Sequence, residues 1–129
     1  MHHGSCLCGA IHYRIDASFE EITHCHCGQC RKAHGAPFGT YLTVRKDDLH
    51  FSKGADQVKT FNSSPGVART FCPHCGSTLQ WMELDSELTA ITPGTLDSLL
   101  GEIPQRHIYV GSKSDWYHIA DGLPVADED

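Results

Sequence analysis

The sequence predicts an all-β fold, mostly antiparallel, clamped by cysteine-bound metal. Three observations predict it. Short β-branched and aromatic segments recur at about the 8–12-residue spacing of all-β domains. Turn formers stand between them, with almost no helical periodicity. Seven cysteines fall in three tight groups along 129 residues.

The first clear strand is Ala10–Ile15, where Ile11, Tyr13 and Ile15 alternate onto one face. Further strands are expected at Thr40–Val44, Leu49–Phe51, Val58–Phe61, Val67–Phe71, Ser77–Met82, Leu88–Thr92 and Ile108–Val110. Lys46-Asp47-Asp48, Ser52-Lys53-Gly54, Ser63-Ser64-Pro65-Gly66 and Pro93-Gly94 separate them as turns. Thr95–Leu100 reads as a helix of one or two turns, and Gln29–His34 as another turn. The length suits one domain over 1–129, with an acidic tail at about 124–129 expected to fray.

Hydrophobic residues make up 40% and charged residues 20%, a globular balance. A formal net charge of −6 argues against sequence-independent nucleic-acid binding. No apolar run approaches the ~20 residues that span a bilayer. The opening residues hold no apolar stretch that would serve as a secretory leader. An odd thiol count without such a leader points to a reducing, cytoplasmic setting, where clustered thiols bind metal or do chemistry.

Cys72-Pro73-His74-Cys75-Gly76 is a metal knuckle. Proline fixes the backbone after the first ligand, and glycine permits the turn that aims N–H groups at sulfur. Cys6-Leu7-Cys8-Gly9 is a shorter version. The two pairs complete one tetrahedral four-sulfur zinc site. Cys25, Cys27 and Cys30 remain. Three protein ligands leave one coordination position open, the mark of a catalytic zinc, and an external thiol suits so soft a site. Three other uses stay open at this point. His24, His26 or His34 closes the site as fourth ligand, Cys27 and Cys30 act as a redox pair, or the thiols hold iron and sulfur. His26, between two ligands, should point away from a metal they share.

Gly4-Ser5-Cys6-Leu7-Cys8-Gly9-Ala10, His24-Cys25-His26-Cys27-Gly28-Gln29-Cys30-Arg31-Lys32 and Arg69-Thr70-Phe71-Cys72-Pro73-His74-Cys75-Gly76-Ser77 follow one pattern in order. It resembles that of the glutathione-dependent formaldehyde-activating enzymes, a family that includes centromere protein V-like proteins. The segment from His107-Ile108 through Ser114-Asp115-Trp116-Tyr117 to Asp121-Gly122-Leu123-Pro124 resembles that family's C-terminal part.

The resemblance implies an Mss4-like fold of several coiled antiparallel sheets and two zinc ions. It makes Cys6, Cys8, Cys72 and Cys75 structural ligands, and Cys25, Cys27 and Cys30 catalytic ones. It implies a carbon–sulfur lyase that adds glutathione to formaldehyde, giving S-hydroxymethylglutathione, with a small thiol and a small electrophile as partners.

Glutathione carries two carboxylates, so an acidic chain needs local cations to hold it. Arg31, Lys32 and Arg69 flank the motifs and are the candidates for those contacts. Trp81 and Trp116 read as core or rim residues and not substrate platforms, and Gly35 and Pro37 as shaping the loop after the second cluster. The rival from another class is a zinc-stabilised binding module with both metals structural. The sequence leaves the oligomeric state open.

Overall fold

The computed structural model describes residues Met1–Asp129 as two β-sheets, one short helix and connecting turns. Ten strands run β1 (His2–Ser5), β2 (His12–Ile15), β3 (Ile22–Cys25), β4 (Gly39–Arg45), β5 (Leu49–Lys53), β6 (Lys59–Ser64), β7 (Val67–Phe71), β8 (Thr78–Glu83), β9 (Leu88–Ile91) and β10 (Gln105–Ile108). The helix α1 (Gly28–His34) follows β3. The small sheet has the order β1-β2-β5, and the large one β10-β3-β4-β9-β8-β7-β6. Every pairing is antiparallel except β10 on β3, which is parallel. No helix is long and apolar enough to cross a membrane.

Alternation places Ile11, Tyr13 and Ile15 inside, as expected. Tyr13 and Ile15 pack with Ile22, Leu42, Val44 and Ile91 as one core. Ile11 packs with Cys6, Cys72 and Leu79 in a second. Cys25, Cys30, Tyr41 and Ala90 form a third, so two cores are built around cysteine sulfur. β1 pairs Gly4 with Tyr13, and the Tyr13 phenol lies where a Cβ on residue 4 would sit. Only glycine lets the two strands close there.

Several expectations are corrected. The helix expected at Thr95–Leu100 is absent, and a single 3₁₀ turn occupies Pro93–Thr95. Beyond it, Asp97 and Ser98 donate backbone N–H groups to His3 O, and the Ser98 hydroxyl accepts from His3 N–H. Docking on β1 thus takes the groups that a marginally short helix would need for its own ladder. β10 ends at Ile108 instead of starting there, because Tyr109 turns left-handed (φ 55) into a 3₁₀ turn at Val110–Ser112. The stretch 124–129 is not a free tail. His107 N–H donates to Pro124 O, Ala126 N–H to His107 O, Val110 N–H to Ala126 O and Tyr109 N–H to Glu128 O. These bonds lay it along β10. Of the two tryptophans expected in the core or at its rim, Trp116 lies at the surface, 67% exposed and edge-on to Tyr117.

Candidate metal centres and the cavity beside them

Cys6 and Cys8 stand in the turn after β1, and Cys72 and Cys75 in the turn between β7 and β8. Both turns have the same backbone device. Gly9 and Gly76 are left-handed, and their N–H groups donate back to Cys6 O and Cys72 O at 3.1 and 2.8 Å. The Ile11 N–H donates to Cys6 Sγ at 3.3 Å. The four sulfurs lie within 4.8 Å of one another. Cys6–Cys8 and Cys8–Cys72 are separated by 3.7 and 3.8 Å. A zinc–sulfur bond of about 2.3 Å gives a tetrahedral edge of about 3.8 Å, so this donor set fits zinc in both chemistry and spacing. Hydrogen bonding to Ser77 lowers the Cys75 thiol to about 5, favouring the thiolate that a metal takes.

The second cluster is assembled by the β3–α1 corner. Cys25 ends β3, and Cys27 caps α1, its sulfur accepting from Cys30 N–H at 3.2 Å. Gly35, left-handed at φ 60, returns its N–H to Arg31 O and stops the helix after seven residues. The sulfurs of Cys25, Cys27 and Cys30 also lie within 4.8 Å of one another. Cys27 and Cys30 sulfurs are 2.7 Å apart, so a zinc ion would spread this pair by about 1 Å toward the tetrahedral edge. Three soft donors fit such an ion and leave one position for a ligand from outside.

No histidine nitrogen or carboxylate oxygen joins that group. His24 hydrogen-bonds Thr40 and Gln105, and His34 hydrogen-bonds the Tyr41 hydroxyl at 3.0 Å. His26 points away from the sulfurs, with Nε2 2.7 Å from His107 Nδ1. His107 Nε2 in turn lies 2.8 Å from Asp121 Oδ2. An Asp121 carboxylate accepting from His107 Nε2–H makes Nδ1 an acceptor for His26 Nε2–H. Burial pushes His26 down to about 4. The chain Asp121–His107–His26 therefore braces the segment between Cys25 and Cys27 from behind.

On the sulfur side, two buried groups face Cys30. Tyr41 O–H donates to its sulfur at 3.5 Å and accepts from Arg69 Nη1 at 3.1 Å. Arg69 Nη2 donates to the same sulfur at 3.7 Å. Hydrogen bonds from Cys25 and Cys27, together with those from Tyr41 and Arg69, hold the Cys30 thiol far below its ordinary range. The same sharing pushes Cys25 up, because without a cation the three sulfurs cannot all ionise side by side. Burial, then the Cys30 charge, pushes Tyr41 up, so it stays a neutral donor.

These sulfurs open into a cavity of about 550 Å³ on the face of the large sheet. Alternate residues of the strands line it: Glu21, Thr23 and Cys25 from β3's edge, Tyr41 and Thr43 from β4, Val67 and Arg69 from β7. Trp81 also lines it, so it is a wall of the cavity and not only a packing residue. Of the three cations expected to meet a substrate carboxylate, Arg69 lines the cavity, but Arg31 and Lys32 on α1 do not. Arg106 on β10, outside the three expected cations, does. It shares a strand face with Ile108, two residues on, and the parallel pairing of β10 with β3 turns that face to the cavity.

Comparison with known proteins gives three findings. The model of the family described as "Glutathione-dependent formaldehyde-activating enzyme" matches residues 1–112. An uncharacterized lyase of Schizosaccharomyces pombe is 33% identical over 76 residues, which are 59% of this chain and 53% of that protein. The chain thus spans about half the length of this relative. A crystal structure of a Rhodobacter sphaeroides protein, a Northeast Structural Genomics target, superposes with a TM-score of 0.65 at 23% identity. That superposition covers 80% of this chain and 98% of the other, and shows a shared fold.

Proposed function

Because the chain belongs to the glutathione-dependent formaldehyde-activating enzyme family, we propose that it is a carbon–sulfur lyase acting at the Cys25, Cys27 and Cys30 cluster. The reaction adds glutathione, or a similar thiol, to formaldehyde or another small electrophile. The sulfur–carbon bond forms as the carbonyl π bond breaks. The thiol proton ends on the new hydroxyl, with no change of oxidation state. One observation carries this reading: three sulfurs, joined by no fourth protein ligand, open into a cavity of about 550 Å³. That volume lies within the range of small-molecule sites. The lyase name of the Schizosaccharomyces pombe relative supports a lyase, without specifying the bond.

Cys25, Cys27 and Cys30 would hold a zinc ion, which would supply Lewis acidity favouring the thiolate form of a soft thiol. The chain's own residues do the rest. Arg69 sets one positive charge against the sulfurs, offsetting the excess negative charge of three thiolates. Tyr41 O–H and Arg69 Nη2 donate to Cys30 Sγ, and Arg69 Nη1 donates to Tyr41, so the two residues fix the sulfur end of the cavity. Trp81 and Ala90 give that end apolar walls. The cavity orients thiol and electrophile together, and positioning of this kind supplies much of the acceleration for an addition. In this reading Cys6, Cys8, Cys72 and Cys75 hold a second zinc whose role is structural, tying β1–β2 to the β7–β8 turn.

The test is adduct formation followed by NMR with ¹³C-formaldehyde and glutathione. The zinc-loaded protein should accelerate S-hydroxymethylglutathione formation, and Cys27→Ser should abolish the acceleration. No acceleration over the spontaneous reaction, with two metals bound, would move the assignment to another electrophile or to a binding module.

A further inference from the structure

On the face of the large sheet that turns toward β5, one register row changes character half-way across. Ile22 pairs with Leu42, Leu42 with Ile91, Ile91 with Gln80 and Gln80 with Thr70. The first three belong to the core around Tyr13 and Ile15, whereas Gln80 and Thr70 are polar and buried as well. Thr89 on β9, 1% exposed, joins them. Polar groups inside an apolar layer are costly unless their hydrogen bonds are met.

These three side chains meet only part of that need among themselves. Thr70 O–H donates to Gln80 Oε1 at 2.8 Å, and Gln80 Nε2–H donates to Thr89 Oγ1 at 3.1 Å. Together they carry four polar hydrogens, and the two bonds use two of them. One Gln80 N–H and the Thr89 O–H are left without an acceptor. Turning the Gln80 amide over reverses the donors and still leaves two hydrogens unspent.

The three side chains line a second cavity, of about 410 Å³. Leu49, Phe51, Val58 and Met82 give it apolar walls. Lys46 closes one end, its ammonium donating to Glu83 O and Leu84 O at 3.1 and 3.4 Å. Arg69 and Trp81 alternate with Thr70 and Gln80 along β7 and β8, so this cavity backs onto the cysteine cavity through the sheet.

We propose that the second cavity binds a small neutral carbonyl compound with an apolar body. The carbonyl oxygen has two lone pairs and takes the two unspent hydrogens, while the body lies against Phe51, Val58 and Met82. Apolar walls with a few convergent polar groups, at a volume of this order, are the pattern of a small-molecule site. A neutral ligand suits it better than an anion, because the Gln80 and Thr89 donors are uncharged and the Lys46 ammonium is turned onto backbone carbonyls. The site is independent of the reaction assigned to the cysteine cluster.

The probe is cyclohexanone, added to the metal-loaded full chain and followed by NMR. Saturable shifts are expected at the Gln80 side-chain amide and the Met82 methyl, with nuclear Overhauser contacts from the ring to Phe51 and Val58. Cyclohexylammonium has the same ring with donors and no acceptor, and should produce none of these. Gln80→Met keeps the side-chain length, removes the amide and should weaken cyclohexanone binding about tenfold. The two-probe comparison on the unaltered protein decides even where the variant fails to fold. No saturable shift, equal binding of both probes, an unchanged affinity in Gln80→Met, or ring contacts at Trp81 in place of Phe51 would overturn the site. Failure of the adduct reaction at the cysteine cluster would leave this result standing.

Discussion

The Arg69 guanidinium lies 3.7 Å from Cys30 Sγ through Nη2, while Nη1 of the same group holds Tyr41 Oη at 3.1 Å. A buried cation is costly unless something compensates it. Here the compensation is the sulfur cluster, and the dependence runs both ways. Three thiolates around a divalent ion leave an excess negative charge, and Arg69, only 7% exposed, sits where solvent cannot screen it. The residue is thus tied to the cluster more than to the cavity as a whole.

Replacing Arg69 with Met should lower metal affinity at the second cluster by 10- to 100-fold, the usual cost of losing a group bonded to a ligand. The four-cysteine site should keep its metal. Zinc retention against a chromophoric chelator measures both. Equal affinities in variant and parent would show that the guanidinium serves the cavity and not the cluster.

The two clusters should differ in what they do for folding. Cys72 is fully buried in a core with Ile11 and Leu79, and its site joins segments far apart in the chain. Cys72→Ser should cost more than about 4 kcal/mol and leave the protein largely unfolded, since metal binding in such sites contributes directly to folding. Cys27→Ser, half-buried at the helix cap, should lose one metal and lower the unfolding midpoint far less. Thermal denaturation with metal counting by mass spectrometry decides. A similar fall in both variants would mean the sites fold as one unit.

Acid should act through Asp121. Its hydrogen bond with His107 holds the carboxyl below the ordinary 3.8. A folded-state value below the unfolded one means that the unfolded chain takes up the proton first. The stabilisation is therefore full above about pH 4 and is lost as pH falls through the lowered value. The stability difference between the parent and Asp121→Asn, from denaturant titrations at a series of pH values, should shrink below pH 4 and stay constant above it. A difference independent of pH would mean that the carboxylate charge plays no part.

Overpacking should expose the β1–β2 contact. Gly4→Ala places a methyl group against the Tyr13 ring. A cost of about 1–3 kcal/mol is expected from the forced shift. Urea denaturation gives the number directly, and an unchanged midpoint would show that Tyr13 can move aside freely.

Much of this molecule is legible in its sequence. Val67–Phe71 has β-branched and aromatic residues and follows a breaker, and it is a strand over those same residues. The cysteine groups are legible because ligands sharing a turn are neighbours in the chain. β1 is not, since His2–Ser5 has no apolar side chain and its buried residue is Gly4, whose partner Tyr13 supplies the hydrophobic surface. β3, Ile22–Cys25, is too short and polar to show a period. The placement of Arg106 is not legible for a different reason. Its place in the cavity depends on the parallel pairing of β10 with β3, a contact closed across 85 residues between Arg106 and Glu21. Local pattern cannot convey that.

The most direct test of the central claim is calorimetric titration of free glutathione into zinc-loaded protein and into Cys27→Ser. The account predicts saturable binding to the parent, with proton release as the thiol gives up its hydrogen, and loss of that proton release in the variant. Glutathione binding without proton release, or identical titrations of parent and variant, would contradict an open, thiol-accepting metal at Cys25, Cys27 and Cys30.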